Sequence, residues 1–260
     1  MTGTREWLVS EAYPDGRNLA ARRSIYAYRT PACDLPALAV EQLRNARGLV
    51  VDVGCGDGAY VRALRAARPE LTVLGLDLSP GMLAATGPPV VLADAARLPL
   101  VAGSAGALLA MHMLYHLPEP EIAVAELARV RAAGGLVLIA TNAAADKAEL
   151  IELRSAAIRD VTGTAPAWPP DGQALFTLED GERMARRHFE RVRRLDFTGW
   201  VTLTEPEPLV RFIESTLPYF RGVPVGPVLD RVRARTAAAI ETGGAGAFRF
   251  RSHTGFLVGS

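Results

Sequence analysis

Residues 50–60, VVDVGCGDGAY, decide the fold of this chain. An apolar run turns through three alternate glycines, Gly54, Gly56 and Gly58, and continues directly into a helical pattern. Glycine is needed where the backbone takes a positive φ and where a ligand lies directly against the main chain. The segment therefore predicts a buried strand, a ligand-binding turn and a helix that begins beside the ligand.

Short apolar runs and helical patterns alternate on both sides of this segment. The runs cover residues 49–53, 71–76, 90–93, 107–111 and 136–140, and further strand patterns follow at 192–204 and 248–258. Such alternation predicts βαβ units and a parallel sheet. We expect an α/β fold with a Rossmann-like, seven-stranded, mostly parallel sheet and helical lid insertions.

Helix signals agree with this fold. Ser79 before Pro80 is typical of an N-cap followed by proline at the first helical position, and Thr177 is a second candidate N-cap. A helix that opens at Pro120 is expected to stop at Gly134 and Gly135. The predicted organisation is a helical cap (1–45), a ligand-binding core (46–142), a lid insertion (143–176) and the rest of the core (177–260), with a helical insertion at 205–241.

The charge of the glycine segment separates two possible ligands. Its pattern also satisfies the G-x-G-x-x-A loop of dinucleotide-binding folds, where a pyrophosphate rests on main-chain N–H groups. A carboxylate at Asp57 would repel a pyrophosphate but favour a ligand with ammonium and sulfonium groups. The sequence therefore favours a cationic ligand over NAD.

Two more carboxylates follow the next two predicted strands. Asp77 stands 19 residues after Gly58, where an acidic side chain can accept both ribose hydroxyls of NAD or of an adenosyl ligand. Asp94 follows the third strand, where an oxygen can accept the exocyclic amine of adenine. Acidic residues at three successive strand ends predict an adenine nucleoside as part of the ligand.

Five successive motifs resemble those of class I S-adenosylmethionine-dependent methyltransferases. They are VDVGCGDG, GLDLSPGML, ADAARLPL, MHMLYHL and AELARVRAAGGLVLIATN, and they cover about residues 48–142. The closest similarity is to the group with ubiquinone/menaquinone-biosynthesis enzymes and small-molecule methyltransferases of bacterial specialised metabolism. The resemblance implies S-adenosyl-L-methionine as cofactor, S-adenosyl-L-homocysteine as product, and an oxygen, nitrogen or carbon atom of a small molecule, expected to be a specialised metabolite, as acceptor.

The resemblance also assigns cofactor contacts to the ends of the first four core strands. Asp77 would hold the ribose, Met82 would pack on adenine, Asp94 would read the adenine edge, and Met111 would offer its carbonyl to the cofactor amine. The full predicted set is Asp52, Gly54, Cys55, Gly56, Gly58, Asp77, Leu78, Met82, Asp94, Ala95 and Met111.

The candidate catalytic residues are His116, His112 and Tyr26. Both histidines follow the fourth core strand, where open α/β sheets bind ligands, and a histidine can remove a proton near neutral pH. We prefer His116 as the base; packing of both rings beside the cofactor is the alternative. Tyr26 is expected to close over the methyl group with Tyr28.

Arginines of the N-terminal segment have two interpretations. Arg22 or Arg29 can pair with a carboxylate of the cofactor or the substrate, or they can be solvated residues of an amphipathic helix. The arginine-rich stretch 183–194 contains a single aromatic residue, Phe189, so a solvated helix face is favoured over an RNA site.

The composition of the chain limits the classes of binding partner that we expect. A net charge of +1 gives no global attraction to nucleic acid, and two cysteines, Cys33 and Cys55, lack the spacing of a metal site. No apolar run approaches the roughly 20 residues of a membrane span. We expect a cytoplasmic monomer or homodimer without metal, nucleic acid or membrane. The alternatives are an RNA or protein methyltransferase, an NAD-dependent oxidoreductase, and a non-catalytic nucleoside-binding protein.

Overall fold

The computed structural model describes residues 6–166, 176–220, 222–243 and 245–260. Within these ranges the strands are β1 (Arg29–Thr30), β2 (Leu49–Val53), β3 (Thr72–Asp77), β4 (Val90–Leu92), β5 (Ala105–Met111), β6 (Arg131–Asn142), β7 (Val192–Leu203) and β8 (Phe248–Gly259). The α-helices are α1 (Arg17–Ser24), α2 (Leu35–Gln42), α3 (Ala59–Ala67), α4 (Pro80–Thr86), α5 (Pro120–Val130), α6 (Ala148–Thr162), α7 (Leu178–Ala185), α8 (Glu207–Glu214) and α9 (Val225–Thr242).

The strands form one sheet in the order β1-β7-β8-β6-β5-β2-β3-β4. Four neighbouring pairs are parallel: β4 with β3, β3 with β2, β2 with β5, and β5 with β6. Strand β8 runs antiparallel to both β6 and β7. The predicted α/β, Rossmann-like and mostly parallel sheet is confirmed. The predicted number of strands is wrong by one, because Arg29 and Thr30 pair antiparallel with Val201 and Trp200 at the edge. Two residues are too few to show a strand periodicity in the sequence.

Two of the predicted helix starts have the expected caps. The Ser79 hydroxyl accepts a hydrogen bond from the Met82 N–H ahead of α4, and Pro80 occupies the first turn. Thr177 and Asp180 form a reciprocal capping box at the start of α7. These local side-chain bonds satisfy main-chain donors that no helical carbonyl reaches, which is why the sequence signals were reliable.

The end of α5 differs from the prediction. The helix ends at Val130, and Arg131 already begins β6, so Gly134 and Gly135 do not stop the helix. Gly134 lies inside β6 with a φ of +72°, close to a register shift against β5 between Ala105 and Ala107. The glycine accommodates an irregularity in the strand rather than a helix terminus.

Apolar clusters cover both faces of the sheet. Val51 and Leu108 face a cluster with α5 and α7, whereas Val50 and Leu109 face a cluster with α2 and α3. A third cluster joins α6, α8 and α9 to Phe250 of β8. The two predicted lid insertions therefore share one apolar core, although residues 167–175 of the first insertion lie outside the described residues. Their role as a lid stays a prediction.

In the described part of the chain, no helix has both the length and the hydropathy that a bilayer crossing requires.

Candidate active site

The glycine turn between β2 and α3 has the predicted backbone conformation. Gly54, Gly56 and Gly58 have φ values of +69°, +56° and +79°. A Cβ atom at Gly54 would lie 2.8 Å from Cβ of Met113, and one at Gly58 would lie 2.6 Å from Cγ2 of Thr86. Both conformation and space therefore require glycine, and the turn presents bare main chain at the carboxyl end of the sheet.

Asp77 connects this turn to the next strand. Its Oδ2 accepts the Gly56 N–H at 2.8 Å, and its Oδ1 accepts the Ser79 N–H at 2.9 Å. Burial raises the pKa of the Asp77 carboxyl, and these main-chain donors oppose that rise. Each carboxylate oxygen accepts more than one hydrogen bond, so both oxygens can still receive ribose hydroxyls.

Asp52 is a buried carboxyl without a partner. Its side chain has no exposed surface, and neither oxygen has a hydrogen-bond partner among the described residues. Burial, reinforced by the nearby Asp77 charge, raises the pKa of Asp52 to about 8. An unpartnered buried carboxyl destabilises the fold. A cationic ligand group beside it would provide the partner and favour the ionised form.

Asp94 and Ala95 follow β4, next to the end of β3. The Ala93 N–H donates to the Asp77 carbonyl at 3.0 Å, which brings the two carboxylates to the same edge of the sheet. Oδ1 of Asp94 accepts the Ala96 N–H at 2.9 Å and shapes the turn. The position of Asp94 agrees with contact to a nucleoside, whereas hydrogen bonding of Asp94 to the edge of adenine stays a prediction.

The remaining predicted cofactor residues surround the turn. Leu78 separates Asp77 from the α4 cap, and Met111 ends β5, one residue past the pairing of Val53 with Ala110. The Cys55 thiol contacts Thr86, and burial raises its pKa to about 12, so it is unreactive. Met82 has only 1% of its surface exposed. Contact between Met82 and adenine would thus require a neighbouring side chain to move.

Two arginines oppose the charge of Asp57, which weakens the argument for a cationic ligand from Asp57 alone. Nη2 of Arg23 lies 2.6 Å from Oδ1 of Asp57, and Nη2 of Arg62 lies 4.0 Å from the same oxygen. The arginines reduce the repulsion that Asp57 would exert on a pyrophosphate, and the unpartnered Asp52 is a second argument for a cationic ligand.

The N-terminal segment lies directly on the glycine turn and on the start of α4. The side chain of Leu19 packs over Gly56, and the Ser79 hydroxyl donates to the Tyr13 carbonyl at 2.8 Å. The Pro14 carbonyl occupies the space that a side chain at Gly81 would need. These contacts agree with a cap over the ligand, whereas no pattern in the sequence indicated the role of Gly81.

His116 is held by the N-terminal segment. Its Nε2 lies 2.9 Å from the Tyr13 hydroxyl, which itself accepts from Arg22 and Tyr219. The Tyr13 hydrogen is therefore donated to Nε2, and the proton of the neutral ring is on Nδ1, which has no partner among the described residues. Burial and the Arg22 charge lower the pKa of His116 to about 3. The near-neutral pKa that favoured His116 as a base is not found.

His112 has a comparable environment. Its Nε2 lies 3.2 Å from the Thr254 hydroxyl, which donates to the Thr141 carbonyl, so the imidazole is the donor. Burial and the Lys147 charge lower the pKa of His112 to about 4. His112 also has a φ of +56°, which is uncommon outside glycine and occurs where surrounding structure enforces it.

Tyr26, Tyr28 and Arg29 do not share one site. Tyr26 packs beside Lys147, whose Nζ lies 5.6 Å from the ring centroid and forms a buried ion pair with Asp146. Burial raises the pKa of Tyr26. Tyr28 is exposed, and the buried Arg29 donates to Ser252 Oγ and the Phe197 carbonyl. Arg29 therefore serves the fold, whereas the predicted roles of Tyr26 and Tyr28 over the methyl group stay predictions.

The arginine-rich stretch is paired with acids. Arg186 lies 2.6 Å from Glu182, Arg187 lies 2.7 Å from Glu121, and Arg194 lies 2.7 Å from Asp196. These pairs agree with a solvated face. Among the described residues, no group of three His, Cys, Asp or Glu side chains is arranged to hold a metal ion.

Comparisons with known proteins show similarity to methyltransferases. A family model described as "Methyltransferase domain" matches residues 51–139. Malonyl-acyl-carrier-protein O-methyltransferase of Laribacter hongkongensis is 34% identical over 42% of this chain and 42% of its own length. The chain thus spans about two fifths of that relative. Trans-aconitate 2-methyltransferase of Deinococcus radiodurans is 28% identical over 82% of this chain and 81% of its own length.

Solved structures share the fold. A putative methyltransferase from an antibiotic biosynthesis pathway of Anabaena variabilis has a TM-score of 0.64 at 18% identity and covers 87% of this chain and 96% of its own. An N-methyltransferase of Haemonchus contortus in complex with phosphomonomethylethanolamine and S-adenosylhomocysteine has a TM-score of 0.59 at 17% identity, covering 100% of this chain and 60% of its own.

Proposed function

We propose that the chain, whose residues 51–139 match the methyltransferase-domain model, is a class I S-adenosylmethionine-dependent methyltransferase that methylates an oxygen or nitrogen atom of a small molecule. S-adenosylmethionine is the methyl donor of this family. The observation that carries the proposal is the pair Asp52 and Asp77 on either side of the glycine turn. Asp77 has acceptor capacity for a ribose, and the unpartnered Asp52 fits the ammonium group of the methionine part.

The residues of this chain position the reactants rather than supply reactive groups. When bound, S-adenosylmethionine provides a sulfonium methyl group that a nucleophile attacks in line. Gly54 and Gly56 allow close approach of the main chain, and Tyr13 and Leu19 cover the turn and exclude water. Proximity, orientation and exclusion of water account for much of the rate of such displacements.

The names of the relatives indicate a narrower chemical class of methyl acceptor than the sequence predicts. Their names specify malonyl-acyl-carrier protein and trans-aconitate, which both contain carboxyl groups, and neither name indicates a specialised metabolite. A small molecule remains the proposed acceptor, and carboxylic acids are the first class to screen. The monomeric or dimeric state, the cytoplasmic location and the absence of a nucleic-acid substrate stay predictions.

A calorimetric titration with S-adenosylhomocysteine and, separately, with NADH tests the proposal. We expect micromolar binding of S-adenosylhomocysteine alone and its loss in Asp77→Ala, because the variant loses an acceptor of main-chain and ribose donors. Asp230→Ala is the matched control, since Asp230 is 80% exposed and far along the chain in α9. Binding of NADH alone would overturn the proposal in favour of an oxidoreductase.

Acceptor screening separates the proposed function from an RNA or protein methyltransferase and from a binding protein. Methyl transfer to RNA or to protein, with none to small acids, amines or alcohols, would replace the proposed acceptor class. Binding of S-adenosylhomocysteine without turnover on any acceptor class would favour a non-catalytic nucleoside-binding protein.

A further inference from the structure

We propose that Arg22 binds a carboxylate of the methyl acceptor, and that this carboxylate receives the methyl group. The inference rests on the proposed function and names the substrate class of the same site. Arg22 lies on α1, and its guanidinium is enclosed by Tyr13, Tyr219 and Ser215. We call this set of four residues the Arg22 pocket.

The guanidinium of Arg22 has only neutral partners. Its Nη1 donates to the hydroxyls of Tyr13 at 2.7 Å and Tyr219 at 3.3 Å, and its Nη2 donates to the Ser215 carbonyl at 2.6 Å. Nε is buried and has no acceptor within the described ranges. A guanidinium carries five N–H donors in a planar fork. Donors therefore remain for a further acceptor.

The positive charge of Arg22 is not compensated by an acid. In the described part of the chain, no carboxylate lies within ion-pair distance of it, whereas the adjacent Arg23 pairs with Asp57. Buried charges in folded proteins are paired, because transfer from water without a counter-ion is unfavourable. A half-buried cation without a counter-ion, beside the residues that follow β5 at the carboxyl end of the sheet, indicates an anionic ligand.

The aromatic rings of the pocket fix the orientation of this cation. The guanidinium carbon lies 4.9 Å from the Tyr13 ring centroid and 5.2 Å from that of Tyr219. His116 is edge-on to Tyr13 and parallel to Tyr219, so it closes one side. Planar guanidinium groups held in this way bind carboxylates with two parallel hydrogen bonds.

The position of Arg22 favours the acceptor over the cofactor as the source of the carboxylate. Leu19 and Arg23 of the same helix contact the glycine turn, through Gly56 and Asp57. Arg22 instead contacts the Ser215 carbonyl at the end of α8 and the Tyr219 hydroxyl. The Arg22 pocket therefore lies between the cofactor turn and the helical insertion, where an acceptor would enter.

A carboxylate acceptor is also compatible with the low basicity of the histidines. Burial lowers the pKa of His116 to about 3 and that of His112 to about 4, so neither removes a proton at neutral pH. A carboxylate is already ionised there and needs no base. One of its oxygens forms the bond to the methyl carbon while the carbon–sulfur bond breaks. The electron pair stays on sulfur, and the products are a methyl ester and S-adenosylhomocysteine.

The first test measures ligand-induced stabilisation of protein saturated with S-adenosylhomocysteine. The probes are glutarate and tricarballylate, with glutaramide as the neutral isostere, at equal ionic strength. We expect the acids to raise the Tm of the wild type and of Arg17→Gln, whose arginine is exposed and pairs with Asp15, but not of Arg22→Gln. Arg22→Lys should retain part of the shift. No shift in the wild type, or equal shifts in Arg22→Gln, would overturn the proposal.

The second test determines whether the carboxylate that binds Arg22 belongs to the acceptor or to the cofactor. We expect Arg22→Gln to bind S-adenosylhomocysteine within about threefold of the wild type. A loss of tenfold or more would assign the carboxylate to the cofactor and refute the acceptor site. If the wild type itself does not bind S-adenosylhomocysteine, the proposed function fails instead, so the two failures are distinguishable.

The third test identifies the product. Protein is incubated with methyl-labelled S-adenosylmethionine and a panel of di- and tricarboxylic acids, and the product is treated with base. Methyl esters release labelled methanol under base, whereas methyl ethers and methylamines retain the label. We expect base-labile label that falls at least about tenfold in Arg22→Gln. Base-stable label, or label that is independent of Arg22, would overturn the proposal.

Discussion

Arg23 Nη2 lies 2.6 Å from Asp57 Oδ1, so an ion pair joins helix α1 to the glycine turn that we propose as the cofactor site. Neither side chain is fully buried, since 43% of Arg23 and 19% of Asp57 remain exposed. The pair therefore contributes modestly to stability. Its importance lies in its position, because it holds Leu19 over Gly56 and keeps the segment in contact with the turn.

Breaking this pair should weaken cofactor binding without unfolding the protein. We expect Arg23→Gln and Asp57→Asn each to raise the Kd for S-adenosylhomocysteine by about two- to fivefold, the size of a partly exposed ion pair. The double variant should be no weaker than either single variant, because both remove the same contact. Calorimetry measures the effect, and Arg17→Gln is the control. Unchanged affinity in both single variants would show that the pair does not position the turn.

Asp52 should make the ligand-free protein less stable as pH rises. Its pKa of about 8 in the folded protein is far above the ordinary value of an aspartate, so folding favours the protonated form. The stability that this form contributes is fully present below about pH 4 and is lost as pH rises through 8. The Asp52→Asn variant stays neutral, so its Tm should match the wild type at acid pH and exceed it by at least about 2 °C at pH 8.

The same substitution should impair ligand binding. The amide introduced by Asp52→Asn could not offer a negative charge to an ammonium group, so we expect at least about tenfold weaker binding of S-adenosylhomocysteine at pH 8. In the wild type, binding at pH 7 should release protons as Asp52 ionises, which titration in buffers of different ionisation enthalpy measures. Tighter binding by Asp52→Asn, or a Tm profile parallel to that of the wild type, would contradict this role.

The core of the fold could be predicted because its signals are local. The strand and glycine turn at residues 50–60, the cap at Ser79 and the capping box at Thr177 each depend on a few adjacent residues. The edge strand at Arg29 pairs with Val201, across more than half of the chain, so no local pattern could reveal it.

The chemistry of the candidate site was harder to predict because it depends on distant contacts. Tyr13, His116 and Tyr219 meet in space although they are more than 100 residues apart in sequence. The low pKa of His116 follows from burial among them, and burial of a particular side chain is not encoded in a short motif. The type of residue was thus visible in the sequence, whereas its protonation state was not.

Gly54→Ala should abolish cofactor binding. The φ of +69° at Gly54 disfavours any side chain, and an added Cβ would collide with Met113. Gly103 is a matched control, because it has a φ of +68° but open space where a methyl group would be added, so Gly103→Ala isolates the backbone effect of about 1–2 kcal/mol. We expect a larger loss of Tm for Gly54→Ala and no detectable binding of S-adenosylhomocysteine. Equal Tm losses and retained binding would show that Met113 moves aside.

His116 should remain neutral throughout the physiological pH range. Its pKa of about 3 in the folded protein lies below the ordinary value near 6.5, so the stability linked to the neutral ring is present above pH 6.5 and is lost as pH falls toward 3. We expect the imidazole NMR resonances of His116, identified by their absence in His116→Gln, not to shift between pH 8 and 5. The Tm of His116→Gln should also fall less steeply than that of the wild type below pH 6.

A titration of His116 with a midpoint between pH 6 and 7 would contradict this environment and restore the residue as a candidate base. Turnover separates the two roles further. A base would make the rate rise with pH through that midpoint, and His116→Gln would lose the rise. At saturating S-adenosylmethionine, a neutral residue that only positions Tyr13 would give a rate independent of pH between 6 and 8. Tyr13→Phe would reduce this rate at least as much as His116→Gln, because it breaks the same 2.9 Å hydrogen bond and also removes the hydroxyl that accepts from Arg22 and Tyr219.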